Sequence, residues 1–238
     1  MPRTKMTRHQ LKEQDEITSY LEKGTEFVVA HKKEVTTGLI AVAVVAIIVF
    51  GLLYYRSSRN AAAETQLSQA INTYNDTLNI KSEKERYERT LAEAQKTYDQ
   101  YRSTNAGNIA LYYAALSQEG LGDTQKAMQS LEEVAQRGDA SVKSVAQFAL
   151  AGIYKKHDQT QKAIDIYKQL YDNGAYSKAA VAYELATLYE ANKQLDQAKD
   201  YYQKIVSEYP DSTFRANADD ALKRLGVTPV PPPDKKPS

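Results

Sequence analysis

The chain of 238 residues contains no cysteine and no tryptophan, and it has only 10 glycines and 7 prolines. The absence of cysteine excludes a disulfide framework, thiolate metal sites, a cysteine nucleophile and the acylated cysteine of a lipoprotein. A net charge of +1 argues against a dedicated nucleic-acid binder, which normally carries a basic patch or stripe. Alanine, glutamine, lysine, glutamate and leucine are abundant instead, with 18 tyrosines, and this composition predicts an all-α protein.

One long apolar run, Val35–Tyr55, stands out near the amino terminus, and from Gly38 to Leu53 it has no charged or strongly polar side chain. A helix of this length reaches about 30 Å, the thickness of the hydrocarbon core of a bilayer. A buried core helix and a secretory signal, with an A-x-A site at 61–63, are the alternatives. We favour an uncleaved transmembrane helix at residues 35–55, for three reasons. The run is long, 34 residues precede it, and two arginines stand between the run and the A-x-A site.

Basic residues are unevenly distributed around this run. Seven lysines and arginines precede it, whereas Arg56 and Arg59 are followed by no further positive charge until Lys81. The positive-inside rule therefore predicts a cytoplasmic tail over 1–34 and places residues from about 56 onward on the other side of the membrane. Within the tail, residues 11–34 have the apolar spacing of an amphipathic helix, either a docking helix for a partner or a helix lying on lipid headgroups.

Two segments flank the central part of the chain. Residues 56–107 are interpreted as a lengthened, degenerate pair of helices, the first extending to about Leu78 and the second from about Lys84 to Tyr101. Residues 227–238, VTPVPPPDKKPS, are interpreted as a disordered polyproline-type tail, either a solubilising end or a segment that a partner reads.

Small and aromatic residues recur between these segments. Alanines at 115, 151 and 186 are spaced by 36 and 35 residues, and short polar turns separate each from a second alanine. Alanines let two helices approach closely, and the aromatics fill the space that remains. The residues predicted to pack the repeats are Ala115, Ala127, Ala151, Tyr154, Ala163, Tyr167, Ala186, Tyr189, Ala198, Tyr202 and Pro210.

This pattern resembles the tetratricopeptide repeat (TPR), whose signature has a small residue near position 8, alanine at 20, an aromatic at 24 and proline at 32. The third repeat, 179–212, matches best; the first two, 108–143 and 144–178, lack the closing proline. A capping helix over 213–226 would complete the array. The resemblance implies a right-handed TPR-like solenoid, so that, with the apolar run, we predict an all-α fold in which a single amino-terminal transmembrane helix is followed by this solenoid.

No arrangement of residues in the sequence indicates catalysis. His9, His31 and His157 are far apart, and no partner stands at a spacing that suits a metal ligand. No glycine-rich phosphate loop and no G-x-S-x-G motif occur. We therefore predict no catalytic residue, no metal and no cofactor, and a protein that is not an enzyme.

The resemblance also implies a concave groove lined by the first helix of each repeat, with the second, fifth and ninth positions facing inward. An aromatic occupies the fifth position of every repeat. These rings either bind an extended, partly apolar polypeptide or pack between neighbouring helices. The candidate groove residues are Ile109, Tyr112, Leu116, Val145, Phe148 and Tyr183.

The layout, together with EQDEITSYLEKGTEFVVAHKKE before the apolar run, resembles the ancillary SecYEG translocon subunit family. The resemblance implies a single-pass protein of the bacterial inner membrane with a periplasmic domain. Its partners would be translocon components, periplasmic chaperones or client polypeptides, besides the lipid bilayer. The segment Tyr209–Ser212, with ADDAL at 218–222, is similar instead to repeat proteins of barrel assembly and envelope constriction. A self-associating structural protein is the third hypothesis, and the oligomeric state is left open.

Overall fold

The computed structural model describes Thr25 and residues 28–228, and it divides into two compact units, Met1–Ser58 and Arg59–Ser238. The described residues form helices and turns and include no strand. The helices are α1 (Lys32–Asn75), α2 (Glu83–Tyr101), α3 (Asn105–Gly120), α4 (Thr124–Arg137), α5 (Ala140–Lys156), α6 (Thr160–Asn173), α7 (Lys178–Ala191), α8 (Leu195–Glu208) and α9 (Arg215–Arg224).

The first unit contains the apolar part of α1. Its large apolar side chains are exposed, among them Leu39, Phe50 and Tyr54. By length and composition, α1 holds one candidate membrane span among the described residues. The amphipathic helix predicted over 11–34 lies mostly outside the described residues, as does most of the tail predicted over 227–238.

In the second unit, the end of α1 packs on α2. Ala63, Leu67 and Ala70 are buried, at spacings of four and three residues that place them on one face. The helix ends at Asn75, so the prediction that it extends to about Leu78 is wrong. The Leu78 side chain is 85% exposed in the turn that follows the helix. The Asp76 carboxylate accepts a hydrogen bond from the Asn79 backbone N–H at 2.9 Å, which stabilises this turn in place of a further helical residue.

The remaining helices form hairpins, α3 with α4, α5 with α6 and α7 with α8, and α9 packs on α8. Each hairpin turn has one residue in the left-handed conformation at the same place: Gly122 (φ 88°), Asp158 (φ 59°) and Lys193 (φ 60°). The next residue of each turn donates its N–H to a carbonyl five positions back, at 2.8–2.9 Å. This hydrogen bond is the helix-ending bond of a Schellman motif, so all three turns have the same geometry.

Small residues line the contacts inside the hairpins. Six alanines, at 115, 127, 151, 163, 186 and 198, are fully buried, and Tyr167 and Tyr202 are 1% and 2% exposed. Tyr189 is 9% exposed, while Tyr154 and Pro210 are half-buried. The core consists of two clusters, and the partly buried Tyr154 and Ile166 pack against both. The apolar interior therefore continues from one repeat to the next, as in a solenoid.

Candidate protein-interaction face

The first helix of each hairpin, α3, α5 and α7, carries the six candidate groove residues, and all six side chains are half-buried. Each touches the body of the repeat and keeps some surface in contact with solvent. The structure brings three of them together: Ile109, Tyr112 and Val145 line one cavity of about 230 Å³. We call this cavity the α3–α5 pocket. The other residues that line it are Tyr113, Ser141 and Val142.

Tyr112 forms one wall of the α3–α5 pocket. Its ring meets the edge of the Tyr113 ring, with 5.5 Å between centroids. Burial raises the pKa of Tyr112 to about 12, and the nearby phenols of Tyr113, Tyr74 and Tyr176 act in the same direction. The hydroxyl is therefore neutral at physiological pH, and the pocket has no charged residue in its lining.

Leu116, Phe148 and Tyr183 do not line the α3–α5 pocket. The Phe148 ring stacks on Tyr176 at 4.4 Å and meets the edge of Tyr167 at 5.2 Å. The Tyr183 ring stacks on Phe214 at 5.1 Å and meets the edge of Tyr202 at 6.1 Å. These two rings thus pack between elements while remaining half-buried, which is the arrangement expected of rings that hold helices together.

Ion pairs connect the first helices of successive repeats, and another joins α7 to α9. The Lys156 ammonium donates to Glu119 at 2.7 Å, joining α5 to α3, and the Lys155 ammonium donates to Glu184 at 2.8 Å, joining α5 to α7. The Arg224 guanidinium of α9 donates to Glu190 of α7 at 2.7 Å. These charges satisfy one another within the array, so they form pairs between helices rather than a cluster of one sign.

Two of these carboxylates have further partners. The Tyr202 hydroxyl donates to the second oxygen of Glu190 at 2.9 Å. Burial acts to raise the pKa of Glu119, but hydrogen bonds from Lys156, Thr124 and His157 outweigh it and lower that pKa. His157 is therefore placed at a contact between repeats, 3.4 Å from Glu119.

Comparison with known proteins identifies the family. The model of the tetratricopeptide repeat-like domain matches residues 31–223. This chain belongs to the tetratricopeptide repeat-like domain family. The match includes the apolar run of α1 as well as the hairpins, which confirms the predicted solenoid class.

Solved structures show the same fold. One is a crystal structure described as "Podosopora anserina putative kinesin light chain nearly identical TPR-like repeats". Its sequence is 16% identical to that of this chain, and the superposition has a TM-score of 0.56. The match covers 70% of this chain and 88% of the other. A second crystal structure of those repeats is also 16% identical, with a TM-score of 0.53, covering 70% of this chain and 94% of the other. Among curated proteins, no significant match was found. TPR-like domains are typically non-catalytic scaffolds that bind protein partners.

Sequence reasoning missed a polar cluster that joins the degenerate helical pair to the first TPR-like repeat. The Tyr98 hydroxyl of α2 donates to the Glu133 carboxylate of α4, and the Arg137 guanidinium donates to the same carboxylate at 2.8 Å. Glu132 and Glu133 are adjacent in sequence but point to different neighbours, since Glu132 accepts from the Tyr154 hydroxyl of α5 at 3.5 Å. The spacing of 35 residues between Tyr98 and Glu133 is one repeat length, and this spacing could have indicated the pair.

A second missed feature is the buried arginine of α2. Arg86 is 8% exposed, and its guanidinium lies 4.8 Å from the Tyr87 ring centroid and donates to the Tyr74 carbonyl at 2.5 Å. It therefore satisfies a free carbonyl at the end of α1. Among the described residues, no group of three or more histidines, aspartates or glutamates could hold a metal ion.

Proposed function

We propose that this chain is a membrane-anchored scaffold that binds other proteins through its TPR-like repeats, on the periplasmic face of the bacterial inner membrane. In this proposal it lies next to the protein-translocation channel and hands emerging polypeptides to chaperones. The observation that carries it is the combination within one family match of an exposed apolar helix and a solenoid of hairpins. A helix that exposes leucines, valines and a phenylalanine along its length requires an apolar environment, and a bilayer supplies one.

The orientation rests on the distribution of charge. Seven basic residues precede the apolar run, and two follow it closely. The translocon as neighbour rests on the resemblance of residues 13–34 and of the overall layout. In this arrangement the cytoplasmic tail and the repeats act in different compartments, and the face formed by α3, α5 and α7 meets polypeptides as they leave the channel.

Protease protection tests the orientation. In spheroplasts, a protease added outside should digest the repeats and spare the tail before Val35. Digestion of the tail with protection of the repeats would overturn both the orientation and the periplasmic location.

Site-specific photocrosslinking in native membranes tests the partner. A photoreactive amino acid at Ala180, on the first helix α7, should yield adducts with translocon subunits, periplasmic chaperones or secreted polypeptides. The same probe at the exposed Lys168, on the second helix α6, is the matched control and should yield fewer. Adducts confined to barrel-assembly or cell-wall proteins would replace this proposal by an envelope-assembly scaffold, and adducts confined to the chain itself would replace it by self-association.

A further inference from the structure

An aromatic residue occupies the fifth position of each repeat: Tyr112, Phe148 and Tyr183. Phe148 and Tyr183 are each covered by another aromatic ring of the same chain. Tyr176 lies two residues before α7 and stacks on Phe148 with an angle of 18° between ring planes. Phe214 lies one residue before α9 and stacks on Tyr183 with an angle of 29°. In each case the segment that leads into the following helix, α7 or α9, supplies an aromatic side chain to the preceding repeat.

The first repeat lacks this covering ring. The two residues before α5, Gly138 and Asp139, are not aromatic, and the residue one repeat length (35 residues) before Tyr176 is Ser141. A side chain at Gly138 has no room, since an added Cβ would lie 2.9 Å from the Val134 carbonyl oxygen. Tyr112 meets the edge of Tyr113, and no ring within residues 28–228 stacks on it.

The α3–α5 pocket lies between Tyr112 and the first turns of α5, and Ser141 is among the residues that line it. It measures about 230 Å³, and the side chains that line it include Ile109, Val142 and Val145 but no charged group. A pocket with an apolar lining binds a bulky apolar group more favourably than a charged one, because it offers the charge no partner. An aliphatic group would fill the space, but only an aromatic ring would also stack on Tyr112.

We propose that the α3–α5 pocket takes a phenylalanine or tyrosine side chain from an extended polypeptide bound along the first helices, completing the third aromatic stack on Tyr112. This inference rests on the proposed function as a protein-binding scaffold and specifies what the scaffold recognises. The same kind of stack already occurs twice within the chain, in the Phe148–Tyr176 and Tyr183–Phe214 pairs. The polypeptide would thus be selected by aromatic residues rather than by charge or a terminal carboxylate.

The test uses the full chain in detergent micelles and short fluorescent peptides of glycine, serine and threonine. The peptides differ only at one central residue: phenylalanine, leucine or alanine. Fluorescence anisotropy should show that the phenylalanine peptide binds about tenfold to a hundredfold more tightly than the alanine peptide. It should bind roughly threefold to tenfold more tightly than the leucine peptide, because stacking adds to burial.

Two variants locate the effect in the pocket. Because the chain has no tryptophan, an introduced indole reports its own surroundings. S141W places an indole on the lining of the α3–α5 pocket, so its emission should shift to the blue and the preference for phenylalanine should disappear. V145W fills the pocket from the next turn of α5 and should act in the same way. K143W carries the same ring at an exposed position on α5 and should keep the preference, with emission typical of indole in water.

Equal affinity of the three peptides for the wild-type chain would overturn this inference, as would a retained preference in a variant whose indole is buried. Photocrosslinking in membranes decides the scaffold function separately. If translocon or chaperone adducts form while the peptides bind without preference, only the aromatic specificity fails. If neither adducts nor peptide binding is seen, both proposals fail.

Discussion

The ring of Tyr87 lies directly against Gly120: a Cβ added to that glycine would come within 2.4 Å of Tyr87 Cε2. Tyr87 belongs to α2 and Gly120 ends α3, so this contact holds the degenerate pair against the first repeat. We expect Gly120→Ala to lower the free energy of unfolding by about 1–3 kcal/mol, because the ring must move to admit the methyl group. Urea unfolding of the full chain in mild detergent, followed by circular dichroism, measures the change.

Gly152→Ala is the matched control. Gly152 lies inside α5, and its added Cβ would meet the Tyr167 hydroxyl oxygen at 3.8 Å, an ordinary contact. Alanine is the better helix former, so this substitution should raise the free energy of unfolding by about 0.5–1 kcal/mol. A loss of stability in both variants would contradict the explanation by close packing at Gly120.

The three hairpin turns provide a second prediction. Each has a residue in the left-handed conformation at the same place, but the residue type differs: glycine, aspartate or lysine. Lys193 has a Cβ that is strained at φ 60°, and Lys193→Gly should raise the free energy of unfolding by about 1 kcal/mol. Asp158→Gly should stabilise less, because aspartate tolerates this conformation better than lysine. Gly122→Ala should destabilise. Thermal melts of the three variants measure this order, and a stabilising Gly122→Ala would contradict it.

The repeat period explains why most of the fold could be predicted from the sequence. Alanines at 115, 151 and 186 lie 36 and 35 residues apart, and packing at a helix crossing demands a small residue once per hairpin. The end of α1 could not be predicted in this way. Leu78 continues the helical spacing of apolar residues, yet Asp76 and Asn79 form a turn that ends the helix three residues earlier, at Asn75. Local side-chain hydrogen bonds decided that boundary.

The candidate site was less predictable for a geometric reason. The inward positions of the repeats could be assigned by analogy, but the partner of each ring lies in another element. Tyr176 and Phe214 fall outside the repeat signature, so the sequence did not indicate that they cover Phe148 and Tyr183. Whether a ring is covered or free depends on side chains 28 to 31 residues away, and only the folded chain shows them together.

The cluster around Glu133 predicts a dependence of stability on pH. The hydrogen bond from Tyr98 is the main cause that lowers the pKa of Glu133 from its ordinary value of 4.5, and Arg137 adds to it. Because the pKa is lowered in the folded state, the stabilisation is fully present above pH 4.5 and is lost as the pH falls below it. Tyr98→Phe removes the hydrogen bond, so it should destabilise the chain more at about pH 7 than at about pH 3.

The double variant tests whether Glu133 is responsible. In a Glu133→Gln background, the carboxylate no longer titrates, and Tyr98→Phe should have the same effect on the free energy of unfolding at both pH values. Denaturant titrations of the four chains at the two pH values provide the comparison. A pH dependence that persists without Glu133 would assign the effect to another group.

The Phe148–Tyr176 stack provides the last prediction, because its energy is the basis for expecting a ring in the α3–α5 pocket. Phe148→Leu and Tyr176→Leu each keep an apolar side chain but remove the stacking. A double-mutant cycle should give a coupling energy of about 0.5–1.5 kcal/mol. Tyr201 pairs with Tyr171 and Tyr189 instead, so a cycle of Tyr176→Leu with Tyr201→Leu should be additive within about 0.5 kcal/mol. If the first cycle is also additive, the rings gain nothing from stacking, and an aromatic peptide would have no advantage over an aliphatic one at Tyr112.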